Sequence, residues 1–146
     1  MGTRNLTMVI NKKGETKIAQ YSQCDGYPEG QGKTVLEFLK THDLDNFQKQ
    51  IEKCFFYKEE DLSNVTIEQS PQLSCDGAFI LEIVNNTSDN LGLVDSSDFA
   101  YDSLFCEWAY VIDFSKNTFE IYKGFQKTKL DKNQRFYKET PNGYDY

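Results

Sequence analysis

From Phe105 to Tyr122 the chain reads FCEWAYVIDFSKNTFEIY. Trp108, Tyr110 and Ile112 alternate with Ala109, Val111 and Asp113, the polar residues Ser115-Lys116-Asn117 follow Phe114, and Thr118 to Tyr122 resumes extended chain. Two runs rich in aromatic and branched side chains across a short polar turn predict a β-hairpin. Near the start, Leu6, Met8 and Ile10 alternate with polar neighbours, Lys12-Lys13-Gly14 turns, and Lys17 to Ser22 continues through Ile18 and Tyr21, which predicts a second hairpin.

Between the hairpins the period changes. Val35, Leu36, Phe38 and Leu39 recur at helical spacing, so Lys33 to Lys40 reads as a helix. Leu44, Phe47, Ile51 and Cys54 mark one face of another, Leu44 to Phe55, with Thr41 or Asp43 as its N-cap. The apolar branched run Ala78 to Val84 reads as a strand after the Asp76-Gly77 turn, Asn85 to Asn90 as a loop, and Leu91 to Val94 as a short strand. The fold class that follows is α+β, an antiparallel β-sheet with two helices packed on one face. It occupies one domain, residues 1–125, and residues 126–146 form a partly ordered basic extension. Gln126 to Lys138 holds five bases and one acid, whereas Glu59 to Ser115 holds twelve acids and no Lys or Arg.

With 146 residues, 38% of them hydrophobic, the chain supports one core, which excludes a multidomain enzyme. Sixteen Lys plus Arg against 23 Asp plus Glu leave a formal charge of −7. That balance argues against direct DNA or RNA binding and against an anionic membrane surface. There is no apolar run of about 18 residues to span a bilayer. Leu6 to Ile10 is too short and polar for a signal peptide, so a cytoplasmic location is expected. Leu6 also stands where a myristoylation start wants Ser or Thr. Cys24, Cys54, Cys75 and Cys106 form no CxxC pair, so structural zinc is not expected, nor any other metal or cofactor. Cys54 and Cys106 read as small core residues.

The stretch Cys24-Asp25-Gly26-Tyr27-Pro28-Glu29-Gly30-Gln31-Gly32 packs three glycines and a proline into nine residues, a composition that argues against helix and regular strand. Gly32-Lys33-Thr34 resembles the end of a P-loop. However, Tyr27 stands where that motif needs glycine, Pro28 removes a donor and Glu29 repels phosphate. What remains is a helix opening at Gly32 or Lys33, with free N–H groups and a positive dipole end suited to an anion or a polar carbonyl. Arg4 and Lys33 are the cations of this reading, and Tyr21, Tyr27 and Trp108 its stacking faces. Asn5, Asp25, Glu29, Gly30 and Gln31 complete the binding set. A plain turn leading into a helix explains the same residues.

Ser97 and Asp98, in the loop Asp95-Ser96-Ser97-Asp98, offer groups for a ribose or a water, or serve as Asx and Ser turns. Glu107 is either an outward, solvated side chain or a buried acid able to act as general acid or base, with Asp25 and Glu29 as further catalytic candidates. His42 is the one histidine and reads as a surface cap between the helices, which disfavours hydrolase triads. An N-terminal nucleophile would need Thr3 freed by a cleavage beyond removal of Met1.

Three segments carry a family resemblance: Met1-Gly2-Thr3-Arg4-Asn5-Leu6-Thr7, Gln23 to Gly32, and Val94 to Phe99 with Leu104 to Asp113, ending in Tyr122-Lys123-Gly124-Phe125. They resemble the motifs of a family of small uncharacterised phage, prophage and bacterial proteins, with more distant fungal members whose loop has an Asp-Ser-Tyr-Pro core. The likeness spans Met1 to Phe125, and Cys24 stands where the family usually carries Trp. The resemblance implies a context rather than a reaction: small phage proteins with a polar pocket often counter nucleotide second messengers of host immunity. The expected function is therefore capture of a polar or phosphate-containing ligand, such as a nucleotide immune signal, in the host cytoplasm. A hydrolase acting on the same ligands through Glu107 or Asp25, and an acidic inhibitor binding proteins through Glu59 to Ser115, are the alternatives. A homo-oligomer is compatible with each.

Overall fold

The computed structural model describes residues 3–58, 77–87, 90–101 and 105–124. In chain order its elements are β1 (Asn5–Ile10), β2 (Thr16–Ser22), α1 (Lys33–Thr41), α2 (Leu44–Ile51), β3 (Cys54–Phe56), α3 (Ile80–Asn85), β4 (Leu91–Leu93), β5 (Trp108–Asp113) and β6 (Thr118–Lys123). The fold is α+β. Both predicted hairpins form, β1 with β2 and β5 with β6, and they join into one sheet of order β2-β1-β5-β6.

Three features depart from the sequence reading. First, the seam between the hairpins is parallel, Asn5 facing Trp108 and Ile10 facing Asp113, so the sheet is mixed rather than antiparallel. Second, Ala78 to Val84 is not a strand: a 3₁₀ turn, Gly77–Phe79, leads into α3, giving a third helix. Its buried side chains, Ile80, Leu81 and Val84, fall at i, i+1 and i+4, a helical stripe that prevails over the strand preference of branched residues. Third, the second helix stops at Ile51, and Cys54–Phe56 instead pairs in parallel with Leu91–Leu93 as a small separate sheet. Asp43 rather than Thr41 caps α2, its carboxylate accepting from the Asp45 and Asn46 N–H groups.

Both faces of the main sheet are buried. Val9, Ile18, Tyr110, Ile112, Phe119 and Ile121 pack with α1, α2 and α3, while Leu6, Met8, Ala19, Ala109, Val111 and Tyr122 form a second cluster on the opposite face. Every residue of β1 is buried, so its polar alternates do not face water. Asn5, Thr7, Gln20 and Ser22 form a buried polar patch on the helix face, where register places Asn5 beside Ser22 and Thr7 beside Gln20. Within it, Asn5 Oδ1 and Thr7 Oγ1 make no hydrogen bond. The basic extension and the Glu59 to Asp76 part of the acidic stretch, Cys75 included, lie outside the described residues.

Candidate functional site

The glycine stretch lies against this polar patch. Pro28–Gly32 forms a π-helical turn continuous with α1, contrary to the composition-based reading. Proline is tolerated at its start because the first turn needs no N–H there. The free donors expected at the helix start are used locally: Gly30 N–H donates to the Tyr27 carbonyl at 2.9 Å, Gln31 N–H to the Asp25 carbonyl at 2.8 Å, and Lys33 N–H to the Gly30 and Pro28 carbonyls. Gly26 and Gly32 are there for close approach. A Cβ on Gly26 would collide with the Thr3 carbonyl oxygen and the Asn5 side chain, and one on Gly32 would sit 2.8 Å from Tyr110 Cε1. The buried Tyr110 hydroxyl donates to the Gly26 carbonyl at 2.6 Å, which fastens the loop to β5. Gln31 joins it to the next segment, donating to the Cys24 carbonyl at 2.9 Å and accepting from Ala78 N–H at 2.8 Å.

The other sequence-chosen residues are divided among several places. Asn5 Nδ2 donates to the Thr3 and Ser22 carbonyls. Trp108 lies beside Asn5 in the register, with Lys123 Nζ 5.8 Å from its ring centroid. Glu107 is half-buried and accepts from Arg4 N–H at 2.7 Å, while the Arg4 guanidinium stands 5.4 Å over the Phe105 ring. Tyr21 points to the opposite sheet face and meets the edge of Phe99 at 5.2 Å; Ser97 and Asp98 begin the 3₁₀ segment that carries Phe99. Tyr27 is exposed, and its hydroxyl donates to Asp25 at 3.1 Å; that hydrogen bond, with the Asp25 charge, raises the phenol above its ordinary pKa. Glu29 and Lys33 are exposed, Lys33 lying 4.0 Å from Glu37.

Two concavities lie elsewhere. One, of about 430 Å³, includes Asn11, Lys12, Asp45, Lys49 and Glu52. Its buried Asn11 amide is fully used, donating to Glu15 and Glu52 and accepting from Lys13 and Glu15 N–H. The larger, of about 720 Å³, lies between α1 and α3. Phe38, Ala78 and Phe79 give it an apolar lining, and Phe79 is 52% exposed. Glu37, Thr41, His42 and Glu82 bring polar groups to it. Neither concavity includes Arg4, Tyr27 or Trp108.

His42 caps the C-terminus of α1 as expected, its N–H donating to the Phe38 carbonyl at 3.1 Å, but it is half-buried in the larger cleft rather than out on the surface. Its Nε2 is 2.7 Å from Glu82 Oε1, and its ring stacks on Phe38 with centroids 4.2 Å apart. Nδ1 lies 3.2 Å from the Phe38 carbonyl and 2.9 Å from Thr41 Oγ1. Sequence reasoning missed this pairing because Glu82 was assigned to a strand; as a helix, α3 delivers it to α1 across forty residues. Among the described residues no cluster of three His, Cys, Asp or Glu side chains is placed to hold a metal ion, and no helix is long and apolar enough to cross a membrane. No protein-family model, no curated protein and no solved structure matches the chain.

Proposed function

We propose that the chain is a small-molecule-binding protein whose ligand occupies the α1–α3 cleft. The observation that carries this reading is the cleft itself. Its volume of about 720 Å³ falls within the usual range for ligand sites, roughly 300–1,000 Å³, and it combines an apolar lining with a few convergent polar groups. The glycine loop, with the Gly30, Gln31 and Lys33 N–H groups and the Gln31 and Tyr27 side chains engaged internally, supports a structural role better than a binding one. An anionic phosphate would meet Glu37 and Glu82 in the cleft, so of the ligands expected from sequence the polar kind is favoured over the phosphate-bearing kind. Capture rather than turnover is the simplest form of the function.

Mass spectrometry of material released by denaturing the natively purified protein tests this, with Phe79→Arg as the comparison. Phe79 is half exposed, so the bulky cation fills the cleft mouth while leaving the core intact. A small molecule recovered intact from the wild type and missing from the variant supports the reading. An altered molecule shifts it to an enzyme, and equal recovery from both proteins removes the cleft as the seat.

A further inference from the structure

We infer that the cleft takes up an organic cation in exchange for the proton of His42, with Glu82 as the shared counter-ion. This rests on the cleft being the ligand seat. The Thr41 hydroxyl donates to the Glu37 carbonyl at 2.8 Å, so it offers Nδ1 only a lone pair, and the Phe38 carbonyl offers the same. Nδ1 is therefore the donor in both contacts. Nε2 faces a carboxylate oxygen, a second acceptor. A neutral imidazole has one N–H and the imidazolium has two, so only the protonated ring makes both sets of contacts.

Loss of either proton removes the positive charge of the ring and leaves the Glu82 carboxylate without a cationic partner. The other groups around the ring do not replace it. Glu37, on the same helix, is a second carboxylate in the cleft, and its one ion pair among the described residues is a loose, exposed one with Lys33. The Asp43 carboxylate caps α2, and the Gly77–Phe79 turn carries no charge. No Lys or Arg is among the described residues lining the cleft. An ammonium group meets these requirements: it restores the charge on Glu82, and its carbon skeleton lies along Phe38 and the half-exposed Phe79, whose ring face attracts cations.

The test uses 2-phenylethylamine as the cation, with 3-phenylpropanoate and 2-phenylethanol as anionic and neutral probes of similar shape. Binding is followed by calorimetry and by NMR of His42 and Phe79, at about pH 5.5 and about pH 8, the span in which histidines ordinarily titrate. The amine is expected to bind selectively, to release a proton measurable in buffers of different ionisation enthalpy, and to bind more tightly at about pH 8 than at about pH 5.5, by no more than about tenfold per pH unit. Glu82→Gln should abolish the preference for the amine, and His42→Gln should flatten the pH profile. Both positions are partly exposed, and a thermal melt verifies that each variant is folded.

Equal binding of all three probes, or amine affinity that is flat or falls with pH, overturns the exchange. So does failure of the amine to bind while another molecule still copurifies and is lost in Phe79→Arg; that outcome leaves the cleft as the ligand seat. If nothing occupies the cleft under any condition, both the exchange and the binding function fall.

Discussion

The glycine loop and the α1–α3 cleft meet at the first turn of α1, and they divide form from function in opposite ways. The loop concentrates distinctive residues, Asp25, Gly26, Tyr27, Pro28 and Gln31, in a few adjacent positions, and uses their hydrogen-bonding groups on itself and on β5. The cleft gathers ordinary residues from two distant helices and leaves carboxylates and aromatic surface around open space. Density of unusual residue types along a chain thus measures how hard a turn is to build. Convergence of commonplace ones in space is the better indicator of where a ligand fits.

Substitutions can break or sharpen this contrast. The largest effect is expected from Gly26→Ala, because the added Cβ collides with backbone that cannot swing aside; destabilisation of about 3 kcal/mol, seen in chemical denaturation, would mark the loop as structural. Tyr110→Phe removes the buried hydroxyl that holds the Gly26 carbonyl, at about 1–2 kcal/mol, and should leave ligand recovery from the cleft intact. Loss of ligand in a variant that remains folded would return binding to the loop. Thr7→Val exchanges a buried hydroxyl that makes no hydrogen bond for a methyl group of similar shape, so stability should hold or rise by up to about 1 kcal/mol. A marked fall would mean that this hydroxyl serves a bound molecule beneath the loop.

The mildest prediction concerns alkaline pH and examines both faces of the sheet. Burial pushes the Cys54 thiol up to about 11 from 9.0, and the Tyr122 phenol up to about 12 from 10.0, with the Asp113 charge adding to the latter. The unfolded chain gives up these protons more readily than the folded one. The associated stability is therefore complete below about pH 9 and declines as pH rises through 9 to 11 for Cys54 and 10 to 12 for Tyr122. Melting temperature should fall progressively above about pH 9, and at about pH 8 iodoacetamide should label exposed Cys24 well before buried Cys54. A flat alkaline melting profile would contradict the burial argument.

Much of the fold was legible because hairpins and amphipathic helices are local patterns. The alternation through Trp108 to Asp113 and the spacing of Val35, Leu36, Phe38 and Leu39 depend on near neighbours alone. The parallel seam was not legible: nothing adjacent to Asn5 or Trp108 states that they pair across about a hundred residues. Ala78 to Val84 misled because branched residues suit strands, whereas the packing of Ile80, Leu81 and Val84 between sheet and helix selected a helix. The same error concealed the cleft, since a strand at Glu82 offers no route to His42. Alternation along β1 did not reveal that its polar residues Asn5 and Thr7 are buried; for Asn5 the cause is Gly26 of the distant loop, which packs against it.

The parallel seam also bears on how the chain is made. During synthesis β1 and β2 emerge well before β5 and can close their hairpin, whereas β5 leaves the ribosome only after about 85 further residues. Throughout that interval the inner edge of β1 is an open template of N–H and carbonyl groups, able to recruit a strand from a neighbouring nascent chain. Such long-range closure places the molecule among slower-folding topologies. Yield on expression should therefore depend on translation speed and chaperone supply more steeply than equilibrium stability alone would suggest.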